Sequence, residues 1–211
     1  MIALADGAFT NHWFIEADKD LADALDTRCG PARRQGREVT VLHGDCNTRV
    51  EEVVAAINET DSVFVPGAWK SLSVAFADPT GLEVAWSTIR CLSTLNRVDM
   101  LIYFPTNPLR RVYHHFLEPP VGESKADLFF PSPGWREHSR YPSGSLPLQA
   151  WVDDYNAGLE SLGFLTGYPK AIDDKGRELY RLLFASNHER GIEFWNDWAR
   201  RDWQLEMFSP D

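Results

Sequence analysis

The sequence lacks several features that mark whole classes of protein. Its longest apolar runs are about five residues, 100–104 being typical, so none approaches the ~20 residues that a membrane-crossing helix needs. The opening Met-Ile-Ala-Leu-Ala is too short for a signal-peptide core, and no basic residue precedes it. Cysteine is sparse: Cys29, Cys46 and Cys91 are odd in number, widely spaced and without a C-x-x-C pair. A disulfide framework and a zinc site are therefore disfavoured, and a reducing cytoplasm is the expected setting. No G-x-G-x-x-G occurs, and no G-x-x-x-x-G-K-[ST]; Gly158 and Gly163 have the second spacing, but Phe164 and Leu165 follow them. There is no G-x-S-x-G and no local cysteine nucleophile signature, so covalent catalysis has no support. Positive charge is also short, 21 Lys and Arg against 31 Asp and Glu, for a net charge of −10 and a pI near 5.0. That balance disfavours a general DNA-coating role and leaves only local basic patches to grip phosphate.

What remains is a chain of 211 residues, 44% hydrophobic and 12% aromatic, enough to bury a real core as one domain over 1–211. Its first half alternates between two periodicities. Residues 12–16 (HWFIE) form a short apolar run suited to a buried strand. Asp18 then stands as an N-cap before Leu21, Ala24 and Leu25, a helical stripe ending near Arg28. A second strand is expected over 38–43, followed by Val50, Val53, Val54 and Ile57 at helical spacing. A third strand over 72–77 stops at Asp78-Pro79-Thr80-Gly81, a helix follows with Ala85, Ile89 and Leu92, and 98–104 reads as a fourth strand. This rhythm predicts βαβ units and a mainly parallel sheet.

The second half differs in texture. Residues 118–147 hold six of the 13 prolines together with Leu128, Phe129, Phe130, Trp135 and Tyr141. They are expected to form a long ordered insertion or lid rather than a solvated linker. A helix with Leu148, Trp151, Val152, Tyr155, Leu159 and Leu162 on one face comes next. Residues 168–172 and 178–185 flank Asp173-Asp174-Lys175-Gly176 as an antiparallel hairpin, and a last helix carries Ile192, Trp195, Trp198 and Ala199. A parallel α/β sheet that finishes in an antiparallel hairpin is how the Rossmann-like sheet of class I S-adenosylmethionine methyltransferases ends.

Ligands of doubly wound sheets bind at the carboxyl ends of the strands, and three of the four predicted strand ends carry an acid. Glu16 is either an acceptor for paired ribose hydroxyls or a solvated strand-end acid. Asp45, in Gly44-Asp45-Cys46-Asn47, either accepts from an adenine amine or caps the following helix. Asp78 is held extended by Pro79 and either hydrogen-bonds a substrate amine or hydroxyl or belongs to a plain turn. Mg²⁺-dependent nuclease chemistry from Glu16, Asp45 and Asp78 would require the three carboxylates to converge within a few ångströms. Arg110 and Arg111 follow the fourth strand on the expected ligand side, whereas Arg33, Arg34 and Arg37 fall in a turn. His114 and His115 are adjacent, are expected to diverge, and so form no joint metal site; His188 is expected at a helix start. Trp86, Trp151, Trp195 and Trp198 lie on apolar helical faces and are expected in the core. Trp135 is the tryptophan best placed as a lid or stacking platform for substrate.

Taken in order, Phe14-Ile-Glu16, Gly44-Asp45-Cys46-Asn47, Ala77-Asp78-Pro79-Thr80-Gly81, Val98-Asp99 ahead of Phe104-Pro105, and Leu179-Tyr180 through Phe184-Ala185-Ser186-Asn187-His188 with Phe194-Trp195 resemble the three-Cys-motif partner protein family. That bacterial and phage-associated family accompanies three-Cys-motif, radical-SAM-like proteins. The resemblance implies a class I methyltransferase fold, S-adenosylmethionine as cofactor, Glu16 on its ribose, Asp45 on its adenine side, and Asp78-Pro79 at the catalytic loop. It implies a methyltransferase-like protein acting on nucleic acid or a partner macromolecule. The alternative is a non-catalytic partner or scaffold of a radical-SAM-like protein that has lost cofactor binding. Relatives carry an acidic-aromatic-glycine segment upstream; here eleven residues precede His12 and no glycine loop is present. The sheet is therefore expected to lack its central first strand, and an isolated chain to associate, homo-oligomers included, through unpaired backbone.

Overall fold

The computed structural model describes residues 9–62, 70–138 and 148–201. The chain is α/β and divides into two compact units, Met1–Ala68 and Trp69–Asp211. Among the described residues no helix is long and apolar enough to cross a membrane.

In the first unit, strands β1 (Asn11–Glu16) and β2 (Glu38–His43) pair in parallel, Asn11 level with Glu38 and Glu16 with His43. Helix α1 (Lys19–Arg34) connects them, and Asp18 starts it by accepting from the backbone N–H groups of Asp20 and Leu21. The helix continues past the expected end at Arg28, through Pro31 to Arg34. Pro31 stands one turn from the end, and the Gln35 N–H closes the helix on the Pro31 and Ala32 carbonyls. Pro31 can donate no bond to the Thr27 carbonyl four residues back, yet the helix runs on for one more turn. The apolar stripe is also rotated from its expected position. Ala22, Cys29 and Ala32 are buried, and Leu25 packs with Phe14 and Val41 around Cys29, Ala32 and Val39, while Leu21 is exposed. Arg33, expected in a turn, donates from Nε to the Val39 carbonyl at 2.9 Å and pairs with Asp26 at 2.6 Å, tying the helix end to β2. Helix α2 (Cys46–Ser62) buries Val50, Val53 and Val54 on the predicted face.

In the second unit, β3 (Ser73–Ala77) and β4 (Val98–Phe104) are parallel, linked through helix α3 (Trp86–Leu92). Strand β7 (Arg177–Ser186) lies antiparallel beside β4, and its other side takes β5 (Leu165–Thr166) and β6 (Lys170–Asp174), both antiparallel. The hairpin joining β6 to β7 turns through Lys175 and Gly176, both at positive φ (51° and 77°), with Asp174 paired to Arg177. The backbone twist of such a two-residue turn favours glycine. Alternation along β4 buries Val98, Met100, Ile102 and Phe104 on one face.

Against that face the connection from β4 builds the core from helices α4 (Thr106–Leu117), α5 (Lys125–Phe129), α6 (Trp135–His138) and α7 (Leu148–Ser161). The Phe104 ring lies 5.6 Å from both Phe129 and Tyr155, and Trp86 lies 5.2 Å from Tyr155. The described part of the Pro-rich stretch is therefore ordered and gives the core Phe129, Phe130 and Trp135, while Val121 and Leu128 stay exposed. Tyr141, Pro142 and Pro147 lie outside the described residues. Asp127 organises this stretch. It accepts from the backbone N–H of Ser124 in a capping box, from the Trp135 indole at 3.0 Å, and from Arg136 Nε at 2.7 Å. Helix α8 (Glu189–Arg200) starts at His188, whose Nδ1 accepts from the Arg190 N–H. It lies on the opposite face of β7, with Phe184 stacked on Trp195 at 5.1 Å. Trp86, Trp151 and Trp195 are core as expected, whereas Trp198 sits at the rim, 37% exposed.

Candidate functional site

Each unit gathers acids at the carboxyl ends of its parallel strands. In the first unit, Glu16 closes β1 level with His43, and Asp45 stands two residues beyond β2. The chain leaves β2 through Gly44 at φ +142°, where its N–H donates to the Glu16 carbonyl at 2.9 Å. A Cβ there would meet Arg49 Nε at 2.9 Å, so the close approach and the backbone geometry both favour glycine. Half-buried Glu16 accepts from the Asp18 N–H through Oε1 at 3.0 Å. Exposed Asp45 accepts from the Asn47 N–H at 2.9 Å, so its carboxylate caps α2. Beside it, burial and then the Asp45 charge push the Cys46 thiol up, which leaves it a protonated bystander at neutral pH.

In the second unit, Asp78 follows the last residue of β3, and Ala77 is level with Ile102 of β4. Pro79 favours extended backbone at Asp78, one position beyond the Ala77–Ile102 pair. The loop after it is held by Glu83, which accepts from the Gly81 N–H at 2.7 Å. Across β4, Tyr103 meets Tyr180 of β7 with ring centroids 4.6 Å apart and planes tilted by 36°. Burial pushes the Tyr103 hydroxyl up, and Tyr180, Asp78 and Glu83 push it the same way. A surface of two phenol rings bordered by two carboxylates thus stands at the carboxyl end of β3 and β4.

The other residues singled out in the sequence fall elsewhere. Arg110 is half-buried and Arg111 exposed, both in the second turn of α4. Trp135 is fully enclosed: its ring stacks on Phe130 at 5.6 Å and 14°, its indole N–H is taken by Asp127, and its carbonyl accepts from Trp151. Such a ring offers no face to an incoming ligand, so the expected stacking platform is core in this structure; the prolines around it mark tight packing rather than an opening. His114 and His115 do not diverge. Adjacent helical positions are only about 100° apart, and their exposed rings come within 4.1 Å. Among the described residues no group of three His, Cys, Asp or Glu side chains is placed to hold a metal ion.

The sequence reading assigned no site role to Tyr103, Glu83 or Tyr180, the last of which entered only through the resemblance. Period-2 alternation in β4 sets Tyr103 on the face opposite the core, and that was the available signal. Pairing with Tyr180 depends on a strand some 77 positions further along the chain, beyond any local pattern. No family model matches the chain, and no curated protein or solved structure matches it either.

Proposed function

We propose that the chain is a methyltransferase-like protein of the three-Cys-motif partner kind, using S-adenosylmethionine to methylate a macromolecule. The observation carrying this reading is the strand arrangement of the second unit. Two parallel strands are followed by an antiparallel one whose far side takes its own hairpin partner, as at the end of a class I methyltransferase sheet. The acids at the strand ends support it further. A carboxylate with two acceptor oxygens suits a pair of ribose hydroxyls, and Glu16 is half-buried at such an end. Asp45 is taken up as a helix cap, which weakens its assignment to adenine. The cofactor would supply the methyl group. The chain's own contribution is positional: Asp78, stiffened by Pro79, accepts from an amine or hydroxyl and orients it for transfer. The fit is partial, because the described residues provide acids for the adenosine half and no glycine loop for the methionine half.

A second reading is a non-catalytic partner of a radical-SAM-like protein in a cytoplasmic complex. The open edges of both units suit such a role, since β1 pairs only with β2 and β3 only with β4 among the described residues. Calorimetric titration with S-adenosylmethionine separates the two readings: saturable heat, abolished by Glu16→Ala, supports the enzyme, and its absence supports the partner protein.

A further inference from the structure

We propose that the Tyr103–Tyr180 surface, with Asp78 and Glu83 at its border, receives a cationic side chain, a guanidinium or an alkylammonium, from a basic polypeptide segment. The inference rests on the reading of Asp78 as the group facing the acceptor and deepens it by naming the acceptor's chemical class. Tyr103 and Tyr180 are side by side on the sheet face away from the core, and both are only half-buried. The negative face of a phenol ring attracts a cation within about 6 Å of its centroid. Asp78 and Glu83 are exposed, act on Tyr103 with the same sign, and supply charge-assisted acceptors for N–H donors.

Upstream on the same face of β3, Val74 and Phe76 are 49% and 58% exposed, so the aliphatic stem of a long basic side chain has apolar surface to lie on. The same charges argue against nucleic acid. A phosphate brought to these rings would meet two carboxylates at the border, on a protein whose net charge is −10. A basic peptide is attracted at long range by that net charge and at short range by the border acids.

The test uses the full chain labelled with ¹³C at the tyrosine ring ε-carbons, with Tyr103→Phe and Tyr180→Phe assigning the signals. An oligo-arginine peptide and an oligothymidine of matched length are titrated separately at low salt, without cofactor. The expected result is saturable movement of the Tyr103 and Tyr180 signals with the peptide alone. Asp78→Asn and Glu83→Gln, each checked for an unchanged circular dichroism spectrum and thermal midpoint, should each weaken it about two- to fivefold. Movement of the same signals by the oligonucleotide overturns the proposal. So do peptide-induced shifts that miss these two rings or persist unchanged in both variants. Because no cofactor is present, failure here is distinguishable from failure to bind S-adenosylmethionine.

Discussion

Asp127 shows how one side chain can determine the geometry of a proline-rich segment. Its carboxylate is only 2% exposed and accepts from a serine N–H, an indole and a guanidinium, joining α5 to α6. Burial by itself would raise its pKa, but Arg136 and the Ser124 and Trp135 donors outweigh that and hold it well below the usual carboxylate range. Asp127→Asn leaves the Arg136 charge, 11% exposed, without a counterion. We expect a loss of about 3 kcal/mol, measured by urea denaturation at neutral pH. The linkage has a definite sign. A depressed folded pKa stabilises the protein above the unfolded carboxylate value of about 4, and that contribution is lost as pH falls further. The stability gap between wild type and Asp127→Asn should accordingly narrow below about pH 4. Gly158 makes a comparable case through shape. A Cβ there would lie 2.6 Å from Pro131 and 3.0 Å from Trp86, so Gly158→Ala should cost about 1–3 kcal/mol by overpacking, read as a lower thermal midpoint.

Among the strands, β3 stands apart. It is uncharged over Ser73–Ala77, pairs on one side only among the described residues, and exposes Val74 and Phe76. Natural edges are normally blunted by charge, proline or bulges, and this strand has none of these. Light scattering should therefore detect concentration-dependent association, and Val74→Lys should reduce it; a monodisperse wild-type monomer would count against this. The strands themselves were the most legible part of the sequence. Short apolar runs with Pro or Gly stops located β2, β3 and β4 to within a residue, because each is sharply ended. Helix α1 was less legible, since its apolar stripe fades near Arg28 although the helix runs on to Arg34. The two-residue β5 carries too little pattern to be seen locally and exists through its pairing with β7.

Considered together, the two units share a design in which acids stand where parallel strands end. The sequence made Glu16, Asp45 and Asp78 visible because strand ends can be read from alternation and punctuation. It offered the helix cap as one of two readings for Asp45, which the structure bears out, but it could not reveal that Trp135 is enclosed or that Tyr103 meets Tyr180. The last two depend on contacts between separated segments. The central claim is that this framework binds S-adenosylmethionine through the first unit's acids. Isothermal titration of the full chain with S-adenosylmethionine tests it most directly. The account predicts a saturable, one-site heat that Glu16→Ala removes while the thermal midpoint is kept; no heat from the folded wild-type chain would contradict it.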